Sequence, residues 1–332
     1  MNLQNKNDWQ AALINAVTNP RELLSLLELE DYLPERVDEA ERLFMLKVPR
    51  GFIARMEKKN IHDPLLRQVL PIDAELKTVA GYSADPLTEA AYNPVQGLLH
   101  KYHGRVLLTY SAVCAINCRY CFRREFPYQK NNPGQTGWND ALDYIAGNAS
   151  IREVILSGGD PLTAKDALLE NCCEKLVLIP HITRLRIHSR IPVVLPERIT
   201  DELIRVFRKT PLKIVMVIHC NHPQEISQDV REAMDKLRDA GVLLLNQSVL
   251  LKGVNDSADT LIALSEALCE MGVQPYYLHT LDRVRGTAHF DVPRQTAIKL
   301  HRTLTERLPG YLVPRLVYEK PGEPGKTPVY SG

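Results

Sequence analysis

The sequence lacks any apolar run approaching the ~20 residues that span a bilayer, and its first ten residues, MNLQNKNDWQ, hold no apolar stretch of the kind that heads a secreted chain. Both absences predict a soluble, cytoplasmic protein without membrane contact. Net charge is nearly absent too: 41 Lys and Arg stand against 40 Asp and Glu, leaving +1. No global field draws nucleic acid or anionic lipid, so neither is expected as a partner. Cysteine is scarce and odd in number, seven in 332 residues. That count excludes a secreted disulfide framework, and the crowding of three cysteines into eight positions points to metal. With 45% apolar residues the chain can bury a full core, and disorder is not expected.

Residues 1–94 read as a helical wrap and residues 95–332 as the catalytic unit. Asp8 is a candidate cap for a helix over 9–18. Asn19, Pro20 and Glu22 form a second start before the apolar stripe of Leu23, Leu24, Leu26 and Leu27. A third helix is expected over 37–46, after which Pro64, Pro71, Pro86 and Pro94 punctuate connecting loops. From residue 105 the pattern changes to β-branched runs alternating with helical ones. Strands are expected over 106–110, 153–157, 182–188, 213–219, 242–248 and 274–280, with a short last one over 315–319. Thr200 caps one intervening helix, and Ser227 and Gly241 bracket another. The fold class is therefore α/β: an open, partial (β/α)6 barrel with an N-terminal helical extension and function at the carboxyl ends of its strands.

The first of these strands leads into Cys114-Ala-Ile-Asn-Cys118-Arg-Tyr-Cys121, a CxxxCxxC spacing in one loop. A four-iron cluster held by three thiolates keeps one iron open to a small molecule. A closed zinc site is the competing reading; it needs a fourth ligand, for which His100 and His103 are candidates. Cys172, Cys173 and Cys269 fall in helical patterns as buried thiols, and Cys220 ends a strand where it could line a site without being a ligand. Ser157-Gly158-Gly159-Asp160 follows the second strand, where glycine lets backbone approach a ligand closely. Near the end, Gly325-Lys326-Thr327-Pro328 is no P-loop, because the glycine spacing is too short and Pro328 opposes a helix. A solvated tail lysine or a lysine carrying pyridoxal phosphate (PLP) remain.

These motifs resemble the radical S-adenosylmethionine (SAM) superfamily. Over roughly residues 94–330 the chain is similar to the lysine 2,3-aminomutase family, through LLHKYHGRVLLTYSAVCAINCRYCFRR, VILSGGDPL, SRIPVVLPERIT, NHPQEI, NQSVLLKGVND and PGEPGKTPV. The resemblance implies a 4Fe-4S cluster on Cys114, Cys118 and Cys121, with SAM on its open iron beside Ser157, Gly158, Gly159 and Asp160. It implies PLP on Lys326, with Lys101, Tyr102 and Arg105 at the phosphate and Gln247 against the cofactor. Lys101 stands where the family has arginine and so lacks the planar fork. Arg123 is implied for the substrate carboxylate, its neighbour Arg124 being read as solvated. Asp282 and Glu319 are implied for a distal ammonium; Glu319 replaces the aspartate of longer members. Two acids favour a basic substrate, L-lysine foremost, with ornithine or arginine left open. Amino migration from carbon 2 to carbon 3, started by a SAM-derived radical, would then need an electron donor but no side-chain general base. The chain stops six residues after Lys326 and has Ser257 where longer members place a zinc-binding cysteine, so zinc is not expected. This short form resembles bacterial members whose β-lysine is attached to translation elongation factor P by a separate ligase. A PLP-independent radical SAM enzyme and a metal-binding module without catalysis are the alternatives.

Overall fold

The computed structural model describes residues 9–127 and 134–329, so Asp8 lies outside the described residues. Among the described residues nine strands follow one another in both sequence and space: β1 (Leu98–Tyr102), β2 (Arg105–Ser111), β3 (Glu153–Gly158), β4 (Arg184–Ser189), β5 (Lys213–Ile218), β6 (Leu243–Val249), β7 (Gln274–His279), β8 (Arg315–Tyr318) and β9 (Thr327–Pro328). From β2 to β8 all neighbours pair parallel. β1 and β9 fold back antiparallel on the two ends. The sheet curls without β1 pairing to β9, which makes an open barrel of six strand–helix units plus a seventh parallel strand.

β3 and β5 read from sequence because both of their faces are buried, whereas β4 and β6 alternate buried positions with half-buried ones that line the barrel interior. β5, KIVMVI, is exposed only at its first residue. Helices on the outside follow the apolar spacing: Asp201–Lys209 buries Leu203, Ile204, Val206 and Phe207 and is capped by Thr200 Oγ1 on Leu203 N–H. Helix Gln228–Asp239 sits between Ser227 and Gly241 as expected, but Ser227 makes no side-chain cap. Cys269 is a correction. Helix Ala258–Glu270 buries Leu261, Leu264 and Leu268, and Cys269, about 100° further round, is exposed.

The N-terminal segment departs from its expected lengths. The first helix ends at Ile14, because Val17 leaves to bridge Val48. The third ends at Leu43, where Phe44 turns extended. Asn19 caps Pro20–Leu26 through Arg21 N–H, while Glu22 leaves the cap to pair with Arg50. Leu23, Leu24, Phe52, Leu65 and Leu66 share one apolar core with Val106, Leu156 and Ile187 of the barrel.

This wrap also grips the loop after β2. Asn117 N–H and Nδ2 donate to Lys47 O and Met45 O, both at 2.9 Å, and Arg119 N–H donates to Gln68 O at 2.9 Å. The Arg119 side chain, fully buried, forks onto the fully buried Glu75 at 2.9 and 2.6 Å and reaches Phe44 O and Ala40 O. Arg124, expected in solvent, is instead buried on Glu75 at 2.7 Å. Removing that carboxylate strands two buried guanidinium groups, which costs about 3–5 kcal/mol. Glu75→Gln should therefore lower the urea midpoint of unfolding by that equivalent, whereas Glu28→Gln, in an exposed pair with Lys58, should leave it nearly unchanged.

Candidate active site

One cavity of about 730 Å³ occupies the barrel. Its lining includes Cys114, Cys118, Cys121, Arg123, Ser157, Gly158, Gly159, Asp160, Gln247, Asp282, Glu319 and Lys326, and also Lys101, Tyr102 and Arg105. The residues that the resemblance implies for cluster, cofactors and substrate thus line one space, whereas His100, His103 and Cys220 do not. The cavity is deeper than expected, for it is not confined to the carboxyl ends of the strands. Arg105 and Glu153 stand in register at the amino ends of β2 and β3 and line it as well.

At the carboxyl end the three cysteines sit in the loop gripped by the wrap. None of the three is in a disulfide. Burial pushes Cys114 well up and Cys121 up to about 11, with neighbouring thiols adding to both, so metal binding there would displace protons. Among the described residues no three His, Cys, Asp or Glu side chains converge to hold a single ion. His100, the candidate fourth zinc ligand, bonds Tyr144 Oη at 2.8 Å through Nδ1. A polynuclear cluster takes one thiolate per iron, so an all-sulfur set spread along one loop at a cavity wall fits it better than a mononuclear zinc. Cys220 is buried against His222 O and is not part of the cavity lining.

The glycine turn is shaped by the protein itself. A Cβ on Gly158, at φ +109°, would lie 2.6 Å from Ser111 O, and one on Gly159 2.6 Å from Val113 O. Bare backbone at both positions lets the end of β3 press against the cysteine loop. Asp160 turns inward and its oxygens are taken up by protein: Leu162 N–H at 3.0 Å, Ser189 Oγ at 2.7 Å, Arg190 N–H at 2.8 Å and Ile191 N–H at 3.1 Å. Its carboxylate knots the ends of β3 and β4, while Gly159 N–H donates to Ser111 O at 2.6 Å.

At the other side, cations gather on Glu319. Lys101 Nζ lies 2.6 Å from its Oε1, and Tyr102 Oη and Lys326 Nζ also bond it. Burial alone would raise Glu319, but Lys326, Lys101 and Tyr102 hold it down to about 2. Arg105 stacks on the Tyr102 ring, 4.6 Å from its centroid. A donor set that already collects one anion, with an amine at its edge, suits the phosphate and aldehyde of PLP. Asp282 differs from Glu319. No donor among the described residues bonds its carboxylate, and enclosure by protein pushes it up to about 7, with Lys326 opposing the shift. Nearby imidazoles are held neutral: burial drives His188 and His219 well below their usual value and His279 down to about 3.

Sequence reasoning missed two partners. Glu89, from the wrap, takes both edges of the Arg123 fork at 2.9 and 2.6 Å, while Arg123 Nη1 donates to Ser157 Oγ at 3.2 Å. Arg190 reaches Cys118 from the end of β4. Arg190 lies inside the quoted SRIPVVLPERIT stretch, so the signal was present; nothing around Glu89 gave one.

Comparison with known proteins follows this geometry. Residues 108–264 match the Radical SAM superfamily. The chain is 51% identical over 332 residues to the L-lysine 2,3-aminomutase of Escherichia coli K12, covering 99% of this chain and 96% of that one. It belongs to the lysine 2,3-aminomutase family. The family is one of isomerases, and membership implies a 4Fe-4S cluster and SAM. The Haemophilus influenzae L-lysine 2,3-aminomutase is 49% identical over 98% of this chain and 96% of its own length. The Clostridium subterminale L-lysine 2,3-aminomutase is 38% identical over 97% of this chain and 78% of its own length. No helix among the described residues is long and apolar enough to cross a membrane.

Proposed function

We propose that this chain is a PLP-dependent L-lysine 2,3-aminomutase making β-lysine. One observation carries the reading: the thiols of Cys114, Cys118 and Cys121 and the Lys326 amine line a single cavity together with Asp282 and Glu319. When bound, the cluster and SAM supply the radical that removes hydrogen, and PLP supplies the delocalised partner through which the amino group migrates. The chain's own part is to hold and exclude. Lys326 anchors PLP, with Lys101, Tyr102 and Arg105 at its phosphate and Gln247 against it. Gly158 and Gly159 offer backbone to the methionine end of SAM, next to Ser157. Arg123 faces the substrate carboxylate, shared with Glu89. Asp282, whose carboxylate no donor among the described residues bonds, takes the distal ammonium, and Glu319 adds a second negative charge. The apolar walls from Val215, Val217, Leu245 and Val249 keep water from the reacting carbons.

Charge at the distal end favours lysine over glutamate, and the depth of the cavity suits an unbranched chain. The test is anaerobic reconstitution with iron, sulfide, PLP, SAM and a low-potential electron donor, followed by chromatography of lysine, ornithine, arginine and glutamate reactions. β-Lysine from lysine alone is the expected result; a cluster signal with turnover independent of PLP would instead identify a PLP-independent radical enzyme. Near end-to-end similarity to the Escherichia coli and Haemophilus relatives supports a place among the short members. On that basis the β-lysine is proposed to serve modification of elongation factor P by its ligase.

A further inference from the structure

A buried guanidinium rests on one of the cluster cysteines. Arg190, immediately after β4, donates from Nη1 to Cys118 Sγ at 2.7 Å. Its Nη2 is shared between Gln68 Oε1 at 2.6 Å and Glu225 Oε2 at 3.1 Å. Those two acceptors are themselves fixed: Gln68 Nε2 donates to Glu225 Oε1 at 3.1 Å, Tyr120 Oη and Asn221 Nδ2 donate to Gln68 Oε1 at 3.2 and 3.1 Å, and Glu225 Oε1 accepts from Asn221 and His222 N–H. Gln68, Asn221 and Glu225 are fully buried and Arg190 is 7% exposed. Residues from the wrap, the cysteine loop and the ends of β4 and β5 therefore converge to aim one cation.

What they aim it at decides the meaning. A neutral thiol is a weak acceptor, whereas a thiolate makes a charge-assisted bond. Burying a guanidinium is costly unless its partners are charged. Glu225 supplies one negative charge, and Cys118 as a metal thiolate supplies a second. Among the described residues no side-chain cation donates to Cys114 or Cys121, so the arrangement singles out one corner of the cluster.

We propose that Arg190 sets the reduction potential of the iron–sulfur cluster through its hydrogen bond to Cys118. One electron from a low-potential donor makes the cluster more negative by one charge. A fixed positive charge on a ligating sulfur stabilises that reduced state more than the oxidised one, which raises the potential. Arg190 acts through Cys118, so it is a positioning residue; Gln68 and Glu225 keep its fork in place. The proposal rests on the cluster reading of the three cysteines and is independent of the substrate.

The test uses the full chain, reconstituted anaerobically with iron and sulfide and without SAM, PLP or lysine, and follows the reduced cluster by electron paramagnetic resonance during a redox titration. Arg190→Met should shift the reduction equilibrium about tenfold toward the oxidised cluster, ~59 mV for one electron. Arg190→Lys keeps a charge but cannot hold the fork, so its shift should be smaller and in the same direction. Iron and sulfide content shows which variants hold the cluster, and Arg190→Lys decides if Arg190→Met does not. A midpoint equal to that of the unaltered chain in either cluster-holding variant overturns the proposal. Failure of the unaltered chain to hold a cluster would strike the proposed function instead.

Discussion

Replacing Lys326 by alanine is expected to abolish β-lysine formation, by at least about a thousandfold, equivalent to ~4 kcal/mol of barrier. The amine stands in the cavity against Glu319, within reach of the same carboxylate as Lys101 and Tyr102. Without it the cofactor has no covalent anchor, and phosphate contacts alone hold it reversibly. The cysteine loop is held by Glu75, Gln68, Met45 and Lys47, none of which touches Lys326, so iron and sulfide content should be unchanged. The measurement pairs chromatography of the lysine reaction with visible absorbance of bound PLP after gel filtration. Wild-type turnover in Lys326→Ala would remove PLP from this lysine. Lys101→Ala gives the matched control: one charge-assisted contact is lost, which should weaken PLP retention roughly tenfold while turnover recovers with excess PLP.

The barrel was legible in the sequence for a simple physical reason. Strands of a parallel sheet covered by helices are rich in β-branched and aliphatic residues, and the helices between them carry their own caps and stripes, so all seven parallel strands start and end within two residues of expectation. β1 escaped notice because Leu98–Tyr102 is apolar only at its first two positions. β9 escaped because two residues beside a proline carry no periodicity. The site was legible where chemistry demands rare residues at fixed spacing, as in the three cysteines, and where several motifs recur in order. It was not legible where a common residue acquires its role by tertiary placement. Glu75, Gln68 and Glu89 lie in an irregular, proline-broken segment that shows no local sign of reaching the cavity or the loop beneath it. Of their partners, Arg119 and Arg190 carried no separate reading, and Arg123 was read for a substrate carboxylate and not as the partner of Glu89.

Asp282→Asn is expected to raise the KM for lysine at least about thirtyfold, from the loss of ~2 kcal/mol or more when a buried ammonium is left without its charged partner. The rate at saturation should change much less, because the proposed function assigns Asp282 to the distal ammonium, away from the carbons that react. Affinity for an analogue lacking the distal amine should be unaffected or improved, which separates a lost ion pair from general damage. The pH dependence supplies an independent signature. Burial raises Asp282 to about 7, so below that pH the carboxyl is increasingly protonated and cannot pair with an ammonium. Lysine affinity of the unaltered chain should therefore fall as pH drops through 7, approaching tenfold per unit, and lysine binding should in turn draw the carboxyl down. Stability runs the opposite way. In the unfolded chain Asp282 ionises near its usual ~3.9. Between that value and 7 the folded state holds the extra proton, so this residue's contribution declines as pH rises. Asp282→Asn should flatten both profiles. A KM for lysine that stays constant from pH 8 to pH 6, in a chain still folded and loaded with cluster and PLP, would show that Asp282 is not the ammonium's partner.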